Sequence, residues 1–355
     1  MRTRVLIPLI GALALAGCEH QVLDPGPTGT TDEVLFAKGG KPGGGGNPPS
    51  PPNPVIAFSD IWTLWVTDED GSNKTAVLSE GEGVSLRDPS WAPYGDGTLA
   101  DPWRLVFTRL MTAEGTVSLA TLDIDTIGGV VNARNLQDIN LPPYAADPNW
   151  GPAGEVSYVT EVLVPGTGLM HSAIYVISAA NLPNPIPIEL YVAEADNQVH
   201  EAVWSPSGDA LAFVEQHDSE KKLTIVQRST GALTTVVDYG QLQILGNFGI
   251  DWSKTPSNPS YLAFVEDKPG KGRGPKTAVH RLQVTDFNGD YVIGGQDVLL
   301  ATGFVFPTWS SDDAMLLASD QKYLKALNAA TGSVLGTLTR TGNNTLLSES
   351  DWRRF

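Results

Sequence analysis

The stretch "EAVWSPSGDALAFVE" (Glu201–Glu215) places a tryptophan before a small residue, a proline and a glycine, and an apolar segment follows. Related stretches, "RDPSWAPYGDG", "ADPNWGPAGEVSYV" and "FPTWSSDDAMLLAS", begin at Arg87, Ala146 and Phe306, and weaker ones begin at Gly249 and close to the C-terminus. The spacings between successive tryptophans are 59, 54, 48, 57 and 43 residues. A period in this range indicates a repeat architecture. The repeated tryptophans are Trp91, Trp150, Trp204, Trp252, Trp309 and Trp352.

Each repeat contains four segments that read as strands. After the tryptophan segment come an apolar segment such as "ALAFVEQ", a second one such as "LTIVQRSTG", and a third one such as "ALTTVVD". Turn residues separate them, as expected for hairpins. Six repeats of four strands predict an all-β protein, a six-bladed β-propeller of four-stranded antiparallel blades.

The two ends of the repeat region predict how the ring closes. The region begins at Val55 with "VIAFSD", which corresponds to a second strand, and it ends with "LLSESDWRRF", which corresponds to an inner strand. One blade should therefore be shared between N- and C-terminal strands, so that the domain spans residues 55–355 and leaves no open sheet edge. The tryptophan of each inner strand should fill the wedge between neighbouring blades.

This arrangement resembles the TolB-type WD-like β-propeller repeat, in which an inner strand with Trp-Ser-Pro-Asp-Gly precedes an Ile-Ala-Phe strand and an Ile-Tyr-Val strand. The resemblance covers about 300 residues and is closest at Trp204–Gly208, Leu211–Phe213 and Ile174–Val176. It is degenerate elsewhere, since Ala92 and Gly151 replace the serine. Only a linker precedes Val55 here, so the additional N-terminal domain of TolB, and the roles of TolB itself, are not carried over.

The N-terminus reads as a targeting segment. A basic start and an apolar run end in "LAGC", which resembles a bacterial lipobox, so residues 1–17 are expected to be a lipoprotein signal peptide and Cys18 the lipidated residue. The alternative is an ordinary secretory signal with a chance cysteine. Residues 18–54 then form a Gly/Pro-rich, disordered linker. By family analogy, Glu19 after the cysteine favours the outer membrane, with the domain facing the periplasm or the cell surface.

Charge limits the partners. The chain has 355 residues, with 23 basic and 40 acidic ones, and its net charge of −17 opposes nucleic acid binding. We expect a monomer attached to the membrane through its lipid, with a protein or polymer of the cell envelope as partner. The basic segment "EDKPGKGRGPK" is an exception in this acidic chain and falls in a long loop. It could grip an anionic partner or be a solvated loop, and its cationic residues are Lys268, Lys271, Arg273 and Lys276.

A second candidate site lies three residues before the repeated tryptophan. Four repeats carry an acid at this position: Asp88, Asp147, Glu201 and Glu349. Because a repeated position recurs around the ring, these carboxylates should meet at one rim of the central funnel and attract a cation or a basic side chain. Alternatively, each acid caps a turn by accepting hydrogen bonds from nearby backbone N–H groups.

No catalytic grouping is apparent in the sequence. There is no Gly-x-Ser-x-Gly motif, and the five histidines lack zinc-site spacing. We therefore expect no cofactor, apart from a possible divalent cation at the funnel, and a binding or scaffold module. The alternative is a propeller enzyme of polysaccharide lyase or hydrolase type with its site in the funnel.

Overall fold

The structure is a computed structural model that describes residues 52–164, 168–218, 220–237, 249–267, 277–320, 322–340 and 350–353. Within these residues the chain forms strands and one short 3-10 turn at Ala179–Asn181. The strands make six four-stranded antiparallel sheets. This part of the chain contains no helix that is long and apolar enough to cross a membrane.

We number the blades in chain order. Blade 1 contains β1 (Ile56–Ser59), β2 (Thr63–Thr67) and β3 (Thr75–Ser79). Blade 2 contains β4 (Val84–Trp91), β5 (Trp103–Met111), β6 (Thr116–Ile127) and β7 (Val130–Asp138). Blade 3 contains β8 (Ala146–Trp150), β9 (Glu155–Leu163), β10 (Met170–Ser178) and β11 (Ile188–Val192).

The remaining blades follow the same order. Blade 4 contains β12 (Asn197–Trp204), β13 (Ala210–His217), β14 (Glu220–Gln227) and β15 (Leu233–Val237). Blade 5 contains β16 (Ile250–Trp252), β17 (Ser260–Asp267), β18 (Thr277–Phe287) and β19 (Asp290–Thr302). Blade 6 contains β20 (Val305–Trp309), β21 (Met315–Ser319), β22 (Tyr323–Asn328) and β23 (Val334–Arg340), and β24 (Ser350–Trp352) completes blade 1.

The six sheets form a closed ring, which confirms the predicted six-bladed propeller. The inner strands β4, β8, β12, β16, β20 and β24 contact one another in that order, and β24 contacts β4. The predicted closure is also confirmed, because β24 pairs antiparallel with β1. Arg353 strengthens this junction: its backbone N–H donates to the carbonyl of Val55 at 2.8 Å, and its Nη2 donates to Asn53 Oδ1 at 2.9 Å.

The repeated tryptophans are the anchors of the core. Each is at most 2% exposed, and each packs against the preceding blade, as Trp352 does with Leu317 and Leu324 of blade 6. Room for one ring depends on a glycine, since a Cβ at Gly151 would lie 2.8 Å from the Trp204 ring. The prediction that these rings fill the wedges between blades is confirmed.

The turn after each tryptophan explains the glycine of the repeat. Gly154 and Gly208, four residues after their tryptophans, have φ of 78° and 80°, where a side chain is unfavourable. Blade 6 lacks this glycine, and Asp313 takes the left-handed conformation there with φ of 59°. The degenerate repeat therefore keeps the turn geometry without its usual residue.

The two faces of the ring differ in what they carry. We call the face at which the inner strands begin the mouth face, and the face with the turns after the tryptophans the turn face. The described chain enters at the turn face, because β1 is the second strand of its blade and second strands begin at that face. The Asn53 N–H also donates to Oδ1 of Asp68 at 2.8 Å, and Asp68 directly follows the end of β2 at the same face. By the same topology, the ends of β17 and β18 that flank residues 268–276 lie at the mouth face.

Candidate functional site

The position three residues before each tryptophan has an unusual backbone. Asp88, Asp147, Glu201 and Phe306 have φ between 49° and 53°, and Gly249 has φ of 100°. In blades 2, 3, 4 and 6 the pairing of the inner strand shifts at this residue, which makes it a β-bulge. A bulge bends the strand and re-aims the side chain. The described repeats therefore place this residue at the same level of the central channel, with a side chain in blades 2, 3, 4 and 6.

These residues line a cavity of about 90 Å³ on the axis of the ring. Its walls come from all six inner strands, at the three positions before the tryptophan in five of them and at Ser350 and Asp351 in β24. The acids three residues before the tryptophan are half-buried, whereas Ser90, Asp251 and Thr308, one residue before it, are buried. The cavity therefore opens toward the mouth face. It has room for about three water molecules, which suits the end of a side chain.

The acids at the mouth bind backbone groups of the next blade rather than their own turns. Glu201 accepts from the N–H groups of Gly249 and Ile250 at 3.1 and 2.7 Å, one on each carboxylate oxygen. Asp147 accepts from the N–H of Glu201 at 3.4 Å. These bonds join blade 3 to blade 4 and blade 4 to blade 5. For Asp147 and Glu201 the accepted backbone N–H bonds therefore run between blades and not within a turn.

The mouth also holds its acids in an unfavourable electrostatic setting. Burial, with repulsion from Asp88, raises the pKa of Asp147 to about 7. Burial, with repulsion from Asp147, raises the pKa of Glu201 well above its ordinary value. Burial lowers the pKa of the neighbouring His200, against the attraction of Asp147. A cation at this level would favour the ionised carboxylates.

One level deeper, polar side chains of the preceding blade accept the backbone N–H groups of four tryptophans. The backbone N–H of Trp91 donates to Asp351 Oδ2 at 2.8 Å, and that of Trp309 donates to Asp251 Oδ2 at 2.8 Å. The N–H of Trp150 donates to Ser90 Oγ at 3.0 Å. In blade 4 the corresponding position is Val203, which has no acceptor side chain.

An internal ammonium group is paired with two of the carboxylates that line the cavity. Lys254 Nζ lies 3.0 Å from Asp251 Oδ1 and 3.3 Å from Asp351 Oδ1, and its side chain is 4% exposed. The Lys254 backbone N–H donates to Asp313 Oδ1 at 2.6 Å. Since Lys254 follows the end of β16, it approaches the two carboxylates from the turn face. The channel therefore already accommodates one cation at its lower level.

The structure brings together three of the four predicted acids, Asp88, Asp147 and Glu201. Glu349 lies outside the described residues, as does Cys18. The predicted basic residues also lie outside them: Lys268, Lys271, Arg273 and Lys276. Sequence reasoning missed Lys254, whose one signal is that it stands where three other repeats have proline, as at Pro206.

Among the described residues, no group of three or more His, Cys, Asp or Glu side chains is arranged to hold a metal ion. The geometry at the mouth is instead that of carboxylates pointing into a narrow, water-sized cavity. Such an arrangement can accept an organic ammonium or guanidinium group.

No family model matches the chain, and no curated protein matches it. Solved structures do. TolB from Acinetobacter baumannii is similar with a TM-score of 0.56 at 15% identity, over 86% of this chain and 68% of that one. A protein described as TolB from Agrobacterium tumefaciens has a TM-score of 0.50 at 14% identity, over 81% of this chain and 88% of that one. At such identities the likeness establishes the shared propeller fold alone.

Proposed function

We propose that this chain is a binding module of the cell envelope that accepts a cationic side chain of a partner protein at the mouth of its central channel. The carrying observation is that Asp88, Asp147 and Glu201, from three adjacent blades, line the open end of one cavity. A partner ammonium or guanidinium would offset the repulsion among these acids, and the low dielectric of the channel strengthens that attraction.

Cavity size and the internal lysine support a side chain as ligand. A volume of about 90 Å³ is well below the several hundred Å³ of small-molecule sites. Lys254 shows the kind of group that fits, since its ammonium lies against two carboxylates in the same channel. The exposed Trp62, in the hairpin between β1 and β2, adds an apolar contact on the same face.

The test is calorimetry with Nα-acetyl-lysine amide and Nα-acetyl-arginine amide, with neutral Nα-acetyl-norleucine amide as the matched ligand. We expect both basic probes to bind and the double variant Asp88→Asn/Asp147→Asn to bind about tenfold more weakly. Asparagine keeps an acceptor oxygen and tolerates positive φ, so the fold should remain. Affinity should also fall about tenfold from pH 8 to pH 6, because Asp147, with its pKa raised to about 7, takes up a proton that competes with the cation.

The control is Glu82→Gln/Glu114→Gln, which removes two charges from exposed loops of the same face. If this control weakens probe binding as much as Asp88→Asn/Asp147→Asn does, the probe is attracted only by the general negative potential of the face. Equal binding of the norleucine amide would mean that charge is not recognised. Either outcome would refute the channel mouth as the site.

We further propose that Cys18 carries the lipid that holds the domain at the envelope, in the outer membrane and facing the periplasm or the cell surface. The "LAGC" ending of the apolar N-terminal run supports this. Cys18→Ala should move the protein from the membrane fraction to the soluble exported fraction or leave its signal uncleaved. A wild-type chain that is soluble and takes up no labelled palmitate would contradict the anchor.

A further inference from the structure

The outer half of blade 2 contains a second, larger cavity. It has a volume of about 360 Å³, within the range of small-molecule sites, and it belongs to strands β5, β6 and β7. None of the residues that line it lines the channel. Its lining residues are Arg104, Thr121, Asp123, Asn135, Leu136 and Gln137. We call this cavity the blade 2 cleft.

At this cleft strand β6 runs further than the third strands of blades 3, 4 and 6, as does β18 of blade 5. The blades can be aligned by following the cross-strand partners from each repeated tryptophan to the third strand. In this alignment Asp123 of β6 corresponds to Ser178, Gln227 and Asn328 in blades 3, 4 and 6, and each of these three is the last residue of its strand. In blade 2 the strand continues for four more residues, to Ile127. The hairpin of blade 2 is therefore extended beyond the point where three other blades turn.

The extension buries two carboxylates. Asp123 is 5% exposed and Asp125 is 1% exposed. Such burial is costly unless each charge is paired. Both are paired with arginine: Arg104 Nε lies 2.7 Å from Asp123 Oδ1, and Arg134 Nε lies 2.8 Å from Asp125 Oδ2. The negative charges of the two acids equal the positive charges of the two arginines, so this group of four side chains has no net charge, although the chain as a whole is acidic.

The ion pairing in the cleft indicates which net charge a ligand there should carry. An anionic ligand would compete with Asp123 for Arg104, and a cationic ligand would compete with Arg104 for Asp123. Loss of this ion pair would leave the buried Asp123 without its partner. The other polar lining side chains, Thr121, Asn135 and Gln137, are neutral. A neutral ligand can bind without disturbing either pair.

The hydrogen-bonding groups that line the cleft indicate the chemical class of its ligand. Asp123 Oδ2 accepts from Asn135 Nδ2 at 2.9 Å, and a carboxylate with two bonds retains further acceptor capacity. A β-bulge opposite Thr121 and Asp123 places Asn135, with φ of 53°, and Gln137 along the cleft. Carboxylate, guanidinium and amide groups each offer paired donors or acceptors, which match neighbouring hydroxyl groups. Leu136, 43% exposed, adds an apolar contact.

We propose that the blade 2 cleft binds a neutral polyhydroxylated ligand, namely a sugar residue, with Asp123, Arg104, Asn135 and Gln137 as hydrogen-bonding partners. This site is independent of the channel mouth and uses none of its residues. It would give the protein a glycan contact in addition to a protein contact.

The test is an NMR titration of the full chain with D-glucose, D-galactose and D-mannose, with D-glucosamine and D-glucuronic acid as charged counterparts of glucose. We expect at least one neutral sugar to shift the amide signals of residues 121–123 and 135–137, and the charged sugars to bind more weakly than glucose. The variant Asn135→Gly/Gln137→Ala should weaken binding about tenfold, since it removes two hydrogen-bonding side chains. Glycine retains the positive φ at position 135.

The matched control is Asn288→Gly, another exposed asparagine with positive φ, at the tip of the blade 5 hairpin. It should bind as the wild type does, and so should Asp88→Asn/Asp147→Asn in the channel. The proposal is overturned if none of the neutral sugars binds, if a charged sugar binds more tightly, or if Asn135→Gly/Gln137→Ala retains wild-type affinity. A negative result with the sugars would not change the expected binding of the lysine and arginine probes at the channel mouth. The two proposals can therefore be refuted independently.

Discussion

Trp352→Ala should lower the free energy of unfolding by about 3–5 kcal/mol. The ring is 1% exposed and packs against Ile56 and Phe58 of its own blade and Leu317 of blade 6. Its strand also pairs with β1, so the cavity would open at the junction that holds the two ends of the domain together. Chemical denaturation followed by tryptophan fluorescence measures the change.

Trp62→Ala is the matched control, because Trp62 belongs to the same blade and is 46% exposed. A surface substitution of this kind should change stability by about 0.5 kcal/mol at most. A chain that lacks residues 350–355 and melts like the full-length chain would contradict the closure.

Lys254→Met should cost about 3–5 kcal/mol of stability, because it leaves two buried carboxylates without their cation. Asp251 and Asp351 are both within 3.3 Å of Nζ, and the lysine side chain is almost completely buried. Methionine has similar volume, so the loss would come from charge rather than from packing. Urea denaturation at constant pH and ionic strength measures the effect.

A second substitution should partly reverse this loss. In Lys254→Met/Asp351→Asn, one of the two unpaired charges is removed, while the asparagine oxygen can still accept from the Trp91 N–H. We expect the double variant to be about 1–2 kcal/mol more stable than the sum of the single changes. Lys322→Met, at an exposed position, is the control. The interpretation is wrong if Lys254→Met is no more destabilising than this control.

The fold was predictable because its determinants recur at the same place in every repeat. The tryptophan, the turn and the apolar strand after it could be compared six times, and the closure followed from which strand begins and which ends the series. The acids at the mouth were predictable for the same reason, since Asp88, Asp147 and Glu201 occupy one repeated position.

Contacts between residues that occupy different positions in their repeats were not predictable in this way. Lys254 reaches Asp351, 97 residues away, from a position where three other repeats have proline. The blade 2 cleft depends on a strand that continues where those of blades 3, 4 and 6 turn. The segment "LDID" gave a signal for it only in the polar alternation of Asp123 and Asp125. A comparison of repeats finds what they share, whereas these sites arise where one repeat differs.

The chain enters the ring at the turn face, where Asn53 is bound by Asp68 and Arg353. The channel mouth lies on the other face. A force applied to the chain at residue 52 would therefore act on the β1–β24 junction and not directly on the mouth. The first described residues of the propeller and the channel mouth thus lie on opposite faces of the ring.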